Sequence, residues 1–91
     1  MILLISYDLH KPKQEYAELY EKIKNIGSTW WHYLDSVWLV DTNLSPQDVW
    51  ESLTPAIDKD DYVFVTRVSA DPGYSGWLPQ KAWDWLKVRA F

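Results

Sequence analysis

An α+β fold of the ferredoxin-like type is what three features of this sequence predict. Segments with helical apolar spacing are interleaved with segments rich in β-branched and aromatic residues, in the order strand, helix, strand, strand, helix, strand. That order is the split βαβ arrangement, a βαββαβ sandwich with an antiparallel sheet and two helices on one face. The first strand is apolar with hardly any polar alternation, as a strand covered on both faces requires. At 91 residues and 47% apolar content the chain suffices for one domain, residues 1–91, with a core over 1–69 and a Trp-rich C-terminal tail over 70–91.

Each element has its own signal. Ile2 to Tyr7 is the unalternating strand, expected at the centre of the sheet. Gln14 to Ile26 places Tyr16, Leu19, Tyr20 and Ile23 at i, i+3, i+4 and i+7, one apolar helical face, with Gly27 as its expected C′ stop. Thr29 to Leu34 and Ser36 to Thr42 read as a hairpin or two consecutive strands split near Asp35. Ser45-Pro46-Gln47-Asp48 combines an N-cap serine, proline at N1 and an acid in the first turn, and Val49, Trp50, Leu53 and Ile57 supply the buried stripe. Pro55 should end or kink that helix. The acidic turn Asp58 to Asp61 leads into a fourth strand, Tyr62 to Val68. Asp71 to Gly76 is a loop by composition, and the tail is expected to be helical from about Pro79.

Composition bounds the function. A domain of this size buries a modest core and gains from pairing, so a homodimer is expected. Cysteine is absent, which excludes disulfides, thiolate zinc sites and a cysteine nucleophile and fits a reducing compartment. The first residues carry no basic n-region and no stretch is apolar enough to span a bilayer, so a soluble, cytoplasmic protein without membrane contact is expected. The net charge of −4 argues against a general nucleic-acid coat protein. Charge is unevenly spread: four Lys face four acids in residues 1–33, two basic residues face eight acids in 34–71, and three face one in 72–91. Any nucleic acid would therefore bind locally, near Lys11, Lys13, Lys22 and Lys24 or near Lys81, Lys87 and Arg89.

The leading candidate for chemistry is Asp8, a carboxylate at the carboxyl end of a buried strand beside the lysine-bearing loop His10-Lys11-Pro12-Lys13. Such a position suits a divalent ion or a phosphate. The plain alternative is an Asx-turn residue capping the loop. His10, two residues on, is a candidate general acid or base or a ligand, against the simpler reading of a solvated loop histidine. His32 shares a strand face with Trp30 and Leu34, which favours a packed histidine with a backbone partner. The Asp58, Asp60 and Asp61 cluster is a candidate for attracting Ca²⁺, but it lacks the ligand spacing of an EF-hand loop and reads as a solvated turn. Seven tryptophans and six tyrosines invite a base-stacking platform at Trp30, Trp31, Tyr33 and Trp38, but strand alternation sends these to both faces and the flanking segment is acidic. Dimer contact is the stronger reading of that run. Trp77, Trp83 and Trp85, with Leu78, Ala82 and Leu86, are expected to pack on the open face of the domain's own sheet.

The segments Ile5-Ser-Tyr-Asp-Leu-His-Lys-Pro12 and Trp31-His-Tyr-Leu-Asp-Ser-Val-Trp38 carry a family resemblance. The order of elements, a first strand ending in Tyr7-Asp8 and a third strand opening with Ser36-Val37-Trp38 make the chain similar, over roughly residues 1–69, to the small CRISPR-adaptation subunit family and the virulence-associated protein D toxins. More closely it resembles the short bacterial and phage proteins labelled "SinR family". The resemblance implies a homodimer joined through its sheets, in which the strand-one aspartates of both subunits hold one Mg²⁺ or Mn²⁺ for hydrolysis of RNA or DNA; many members are scaffolds only. It implies Asp8 as metal ligand, with Tyr7 and Ser36 shaping a catalytic site and Lys11 and Lys13 contacting phosphate; His10, from its place in the same loop, is a further candidate for substrate contact. Two departures stand out: no arginine follows the aspartate to grip a phosphate bidentately, and a tryptophan-rich tail replaces the partner-pairing last strand.

Two functions are therefore expected in competition. The leading one is a metal-dependent endonuclease or endoribonuclease-like homodimer acting on RNA or DNA phosphodiesters. The other is a non-catalytic dimeric adaptor that uses its aromatic surface for a protein or nucleic-acid partner. Capture of a small nucleotide at the dimer seam is a third, resting on the same lysines and aromatics.

Overall fold

The computed structural model describes residues 1–71 and 73–91. Strand β1 (Ile2–Asp8) is followed by a 3-10 turn over Lys13–Tyr16 that runs into helix α1 (Ala17–Lys24). A hairpin of β2 (Thr29–Leu34) and β3 (Val37–Asp41) comes next, then α2 (Pro46–Leu53), which tightens into a 3-10 turn over Thr54–Ala56. Strand β4 (Tyr62–Val68) and helix α3 (Gln80–Lys87) complete the chain. The strands form one antiparallel sheet in the order β2-β3-β1-β4, with β1 paired to β3 on one side and to β4 on the other. This small α+β architecture is consistent with the ferredoxin-like fold.

β1 lies inside the sheet and feeds two cores, which is why its sequence does not alternate. Leu3 and Ile5 point into a cluster with Tyr16, Leu19 and Ile23 before and within α1, Val49 and Leu53 of α2, and Trp38 and Val40 of β3. Ile2 joins Trp31, Leu39, Ala82 and Leu86 on the opposite face, where α3 lies. The indole N–H groups there find acceptors: Trp31 donates to the Ala82 carbonyl at 3.2 Å and Trp85 to the Thr29 hydroxyl at 3.1 Å. The tail thus covers part of the face that α1 and α2 leave bare.

The start of α2 is as the sequence dictates: Ser45 Oγ accepts from the Asp48 N–H at 3.1 Å, and Pro46 opens the helix. Pro55 ends it through the 3-10 turn. Helix α1 differs from the expectation. Its α-helical part starts at Ala17 rather than Gln14, because the chain leaving Pro12 first makes a tighter turn closed by Glu15 N–H to the Pro12 carbonyl at 3.0 Å. It ends at Lys24, so Gly27 is not its C′ stop. Gly27 instead lets the backbone pass against β3: a Cβ there would run into the Asp41 carbonyl oxygen, which accepts the Ser28 N–H at 3.0 Å. Of the expected loop Asp71 to Gly76, Pro72 lies outside the described residues.

Gly27→Ala is expected to lower the unfolding free energy by about 1–3 kcal/mol through overpacking against β3, read from urea unfolding curves. An unchanged midpoint would mean the backbone can yield there.

Candidate functional site

Alternation along β1 sends Leu3, Ile5 and Tyr7 toward the helices α1 and α2, and Ser6 and Asp8 toward the other face. Helix α3 packs on that second face around Ile2, Leu39 and Trp31, with Leu4, Val37 and Val68 at the margin of the cluster, and Asp8 lies exposed beyond it. Asp8 is paired in register with Tyr62, and Ser6 with Phe64. Tyr62 and Phe64 are 72% and 64% exposed, and with Ser6 and Asp8 they border a shallow cleft of about 260 Å³. Among the described residues the Asp8 side chain takes part in no hydrogen bond or ion pair, so it does not cap the loop after β1.

The other residues expected beside Asp8 are placed differently. Tyr7 belongs to the opposite face, where its hydroxyl accepts from Trp38 Nε1 at 2.9 Å and donates to the Asp35 carbonyl at 3.3 Å. Burial pushes its phenol up to about 12, so it stays protonated and braces the sheet against the β2–β3 turn. Ser36, in that turn, is tied to β1 by its backbone: its carbonyl accepts the Tyr7 N–H at 3.1 Å. Lys13 is paired with Asp35, and Lys11 with Asp58 at 3.2 Å. Both lysines expected to meet phosphate therefore already face a carboxylate. His32 is packed: its ring stacks on Trp38 with centroids 3.8 Å apart, and Nδ1 lies 3.1 Å from the Val37 carbonyl.

A second cluster sits at the end of the β1–β4 pair, and it corrects two expectations. Asp61 is not part of a solvated turn; its side chain is fully buried. Its Oδ1 accepts from the Tyr16 hydroxyl at 2.6 Å, the His10 ring at 2.7 Å and the His10 N–H at 3.0 Å, and its Oδ2 accepts the Asp58 N–H at 2.8 Å. Burial alone would raise this carboxyl's pKa, but the donated hydrogen bonds outweigh it and hold Asp61 well below the usual carboxylate range. Burial, and the bond to Asp61, keep the Tyr16 hydroxyl protonated. His10, for its part, is not a free loop histidine, because Asp61 grips both its ring and its backbone. The Lys11 ammonium beside Asp58 lowers that carboxyl, and Asp58 in turn raises Lys11.

One signal for this cluster was present in the sequence. Asp8 opposes Tyr62, so the residues just beyond, His10 and Asp61, must lie together once β1 and β4 are recognised as antiparallel neighbours. Chemically the arrangement is an oriented imidazole flanked by carboxylates and an ammonium, which suits proton transfer or cation binding more than anion capture.

No protein-family model matches this chain, and no curated protein does. Among the described residues no helix is long and apolar enough to cross a membrane.

Because the folded-state pKa of Asp61 lies below its unfolded value of ~3.9, its contribution is present above that value and is lost as pH falls below it. Stability is expected to hold near neutrality and to decline below about pH 4. Asp61→Asn, which turns an acceptor toward the Asp58 N–H into a donor, should cost about 2 kcal/mol and flatten that acid decline. Thermal unfolding from pH 2 to 7 reads both, and an identical acid slope in the variant would reject the assignment.

Proposed function

We propose that this protein is a non-catalytic dimeric adaptor of ferredoxin-like fold, acting in the cytoplasm, whose two copies meet through the bare end of the sheet around Tyr62 and Phe64. The observation that carries the reading is the exposure of these two aromatic side chains, two residues apart on one face of an edge strand. A self-complementary patch of this kind suits a twofold contact, in which each copy offers the same residues to the other. The strand's outer edge also offers unpaired backbone groups to a further chain. Charge supports a protein partner over nucleic acid: acids outnumber basic residues across the middle of the chain, and Lys11 and Lys13 are engaged by Asp58 and Asp35.

A second reading is favoured by one feature, the unengaged Asp8 carboxylate on the same bare face. In a twofold dimer formed there, the two Asp8 side chains would approach each other. Together they would supply carboxylate ligands for one Mg²⁺ or Mn²⁺, and the chemistry such an ion would supply there is activation of water toward an RNA or DNA phosphodiester. Ser36 would shape such a site from the neighbouring turn, and Lys11 and Lys13 would have to exchange their carboxylates for phosphate.

Light scattering on the eluting protein is expected to give a dimer for the parent chain and a monomer for Phe64→Asp, with the circular dichroism of both alike. A monomeric parent would remove the dimer reading. Labelled single- and double-stranded RNA and DNA, incubated with Mg²⁺, Mn²⁺ or chelator, decide between the two functions. Uncut substrate supports the adaptor, whereas metal-dependent cleavage abolished by Asp8→Asn would establish the nuclease.

A further inference from the structure

The His10 ring is held in a way that a surface loop histidine does not need. Asp61 is fully buried and its carboxylate Oδ1 already accepts from the Tyr16 hydroxyl and the His10 N–H, so His10 Nδ1 is the donor across their 2.7 Å contact. That fixes the neutral ring's tautomer and leaves Nε2 with a free lone pair on its outward side. Nε2 lies 3.9 Å from Asp58 Oδ2. A ligand atom from each of His10, Asp58 and Asp60 falls within 4.8 Å of the others. Bonds of ~2.1 Å at tetrahedral angles place donors about 3.4 Å apart, so a modest swing of the exposed Asp60 side chain completes the set.

We propose that His10 Nε2, Asp58 and Asp60 form a binding site for one zinc-class divalent cation, with Asp61 as the carboxylate that orients the histidine ligand. The pattern of a buried carboxylate behind a histidine and an ion in front of it is how ligating imidazoles are held in register. One imidazole nitrogen with two carboxylate oxygens suits Zn²⁺ and its neighbours, whereas Mg²⁺ and Ca²⁺ prefer oxygen throughout. Three protein donors leave a fourth position for water or another ligand. Lys11 acts as the resident counter-cation, its ammonium 3.2 Å from Asp58 Oδ2, and it must yield when the ion arrives. This site lies at the end of the β1–β4 pair and is separate from Asp8 on the sheet face, so it stands whether or not the chain dimerises there.

Calorimetric titration of the untagged full chain with Zn²⁺ tests it, with Mg²⁺ and Ca²⁺ as comparison ions. The expected result is one Zn²⁺ per chain, far tighter than either comparison ion. Asp60→Asn, at an exposed position that does not threaten folding, and His10→Gln should each weaken binding at least tenfold. Asp61→Asn should weaken it ~10–100-fold. Lys11→Gln should tighten it several-fold, an effect that loss of a merely structural ion pair would not produce. Imidazole ¹⁵N spectra locate the ion: the His10 Nε2 signal moves with zinc and the His32 signals do not. No heat with the parent chain, binding indifferent to both His10→Gln and Asp60→Asn, or a shift at His32 in place of His10 would each overturn the site.

Discussion

The structure depends on β1 being buried from both sides. A strand with Ile2 directed to one layer and Leu3 and Ile5 to the other can sit only inside a sheet that is covered twice. That requirement places β3 and β4 as its neighbours and gives α1 and α2 one face. It also draws the tryptophan-rich tail onto the other face, since without α3 the side chains of Ile2, Trp31 and Leu39 would be left in water. The polar features follow from where this strand ends: coverage stops before Asp8, and the loop beyond carries His10 and Lys11 to the start of β4.

Two neighbouring centres result, with opposite character. On the sheet face, Asp8 has no side-chain partner among the described residues and lies beside exposed aromatic rings. At the sheet's end, Asp61 is buried under four donated hydrogen bonds and fixes His10, a centre made for order. Lys11 is paired with Asp58 and Lys13 with Asp35, so both lysines of the first loop are held by carboxylates. Carboxylates more than twenty residues away in sequence have claimed both.

Much of the fold was legible because it is written locally. Tyr62–Val68 is a strand with the bounds that its β-branched and aromatic run gave, and Ser45 with Pro46 marks the start of α2 by short-range hydrogen bonding alone. The packed His32 was also readable, from its place on a strand face. What stayed hidden depends on contacts between distant segments. Asp61 looks like any acid in a turn until the β1–β4 register sets it under Tyr16 and His10. Gly27 has the position of a helix stop, and its actual role appears only when β3 passes against it. Tyr7 and Asp8 are adjacent in the chain, yet pleating puts them on opposite faces, so the adjacency that suggested a shared site is what separates them.

Helix α3 belongs to the same chain as the face it covers. A connection from Ser69 to Pro79 tethers it, so the helix meets Trp31 and Leu39 at a local concentration fixed by the length of that connection. Where a second subunit supplied this cover, dilution would strip it away. Here the shielding of that half of the sheet is independent of how many copies a cell holds.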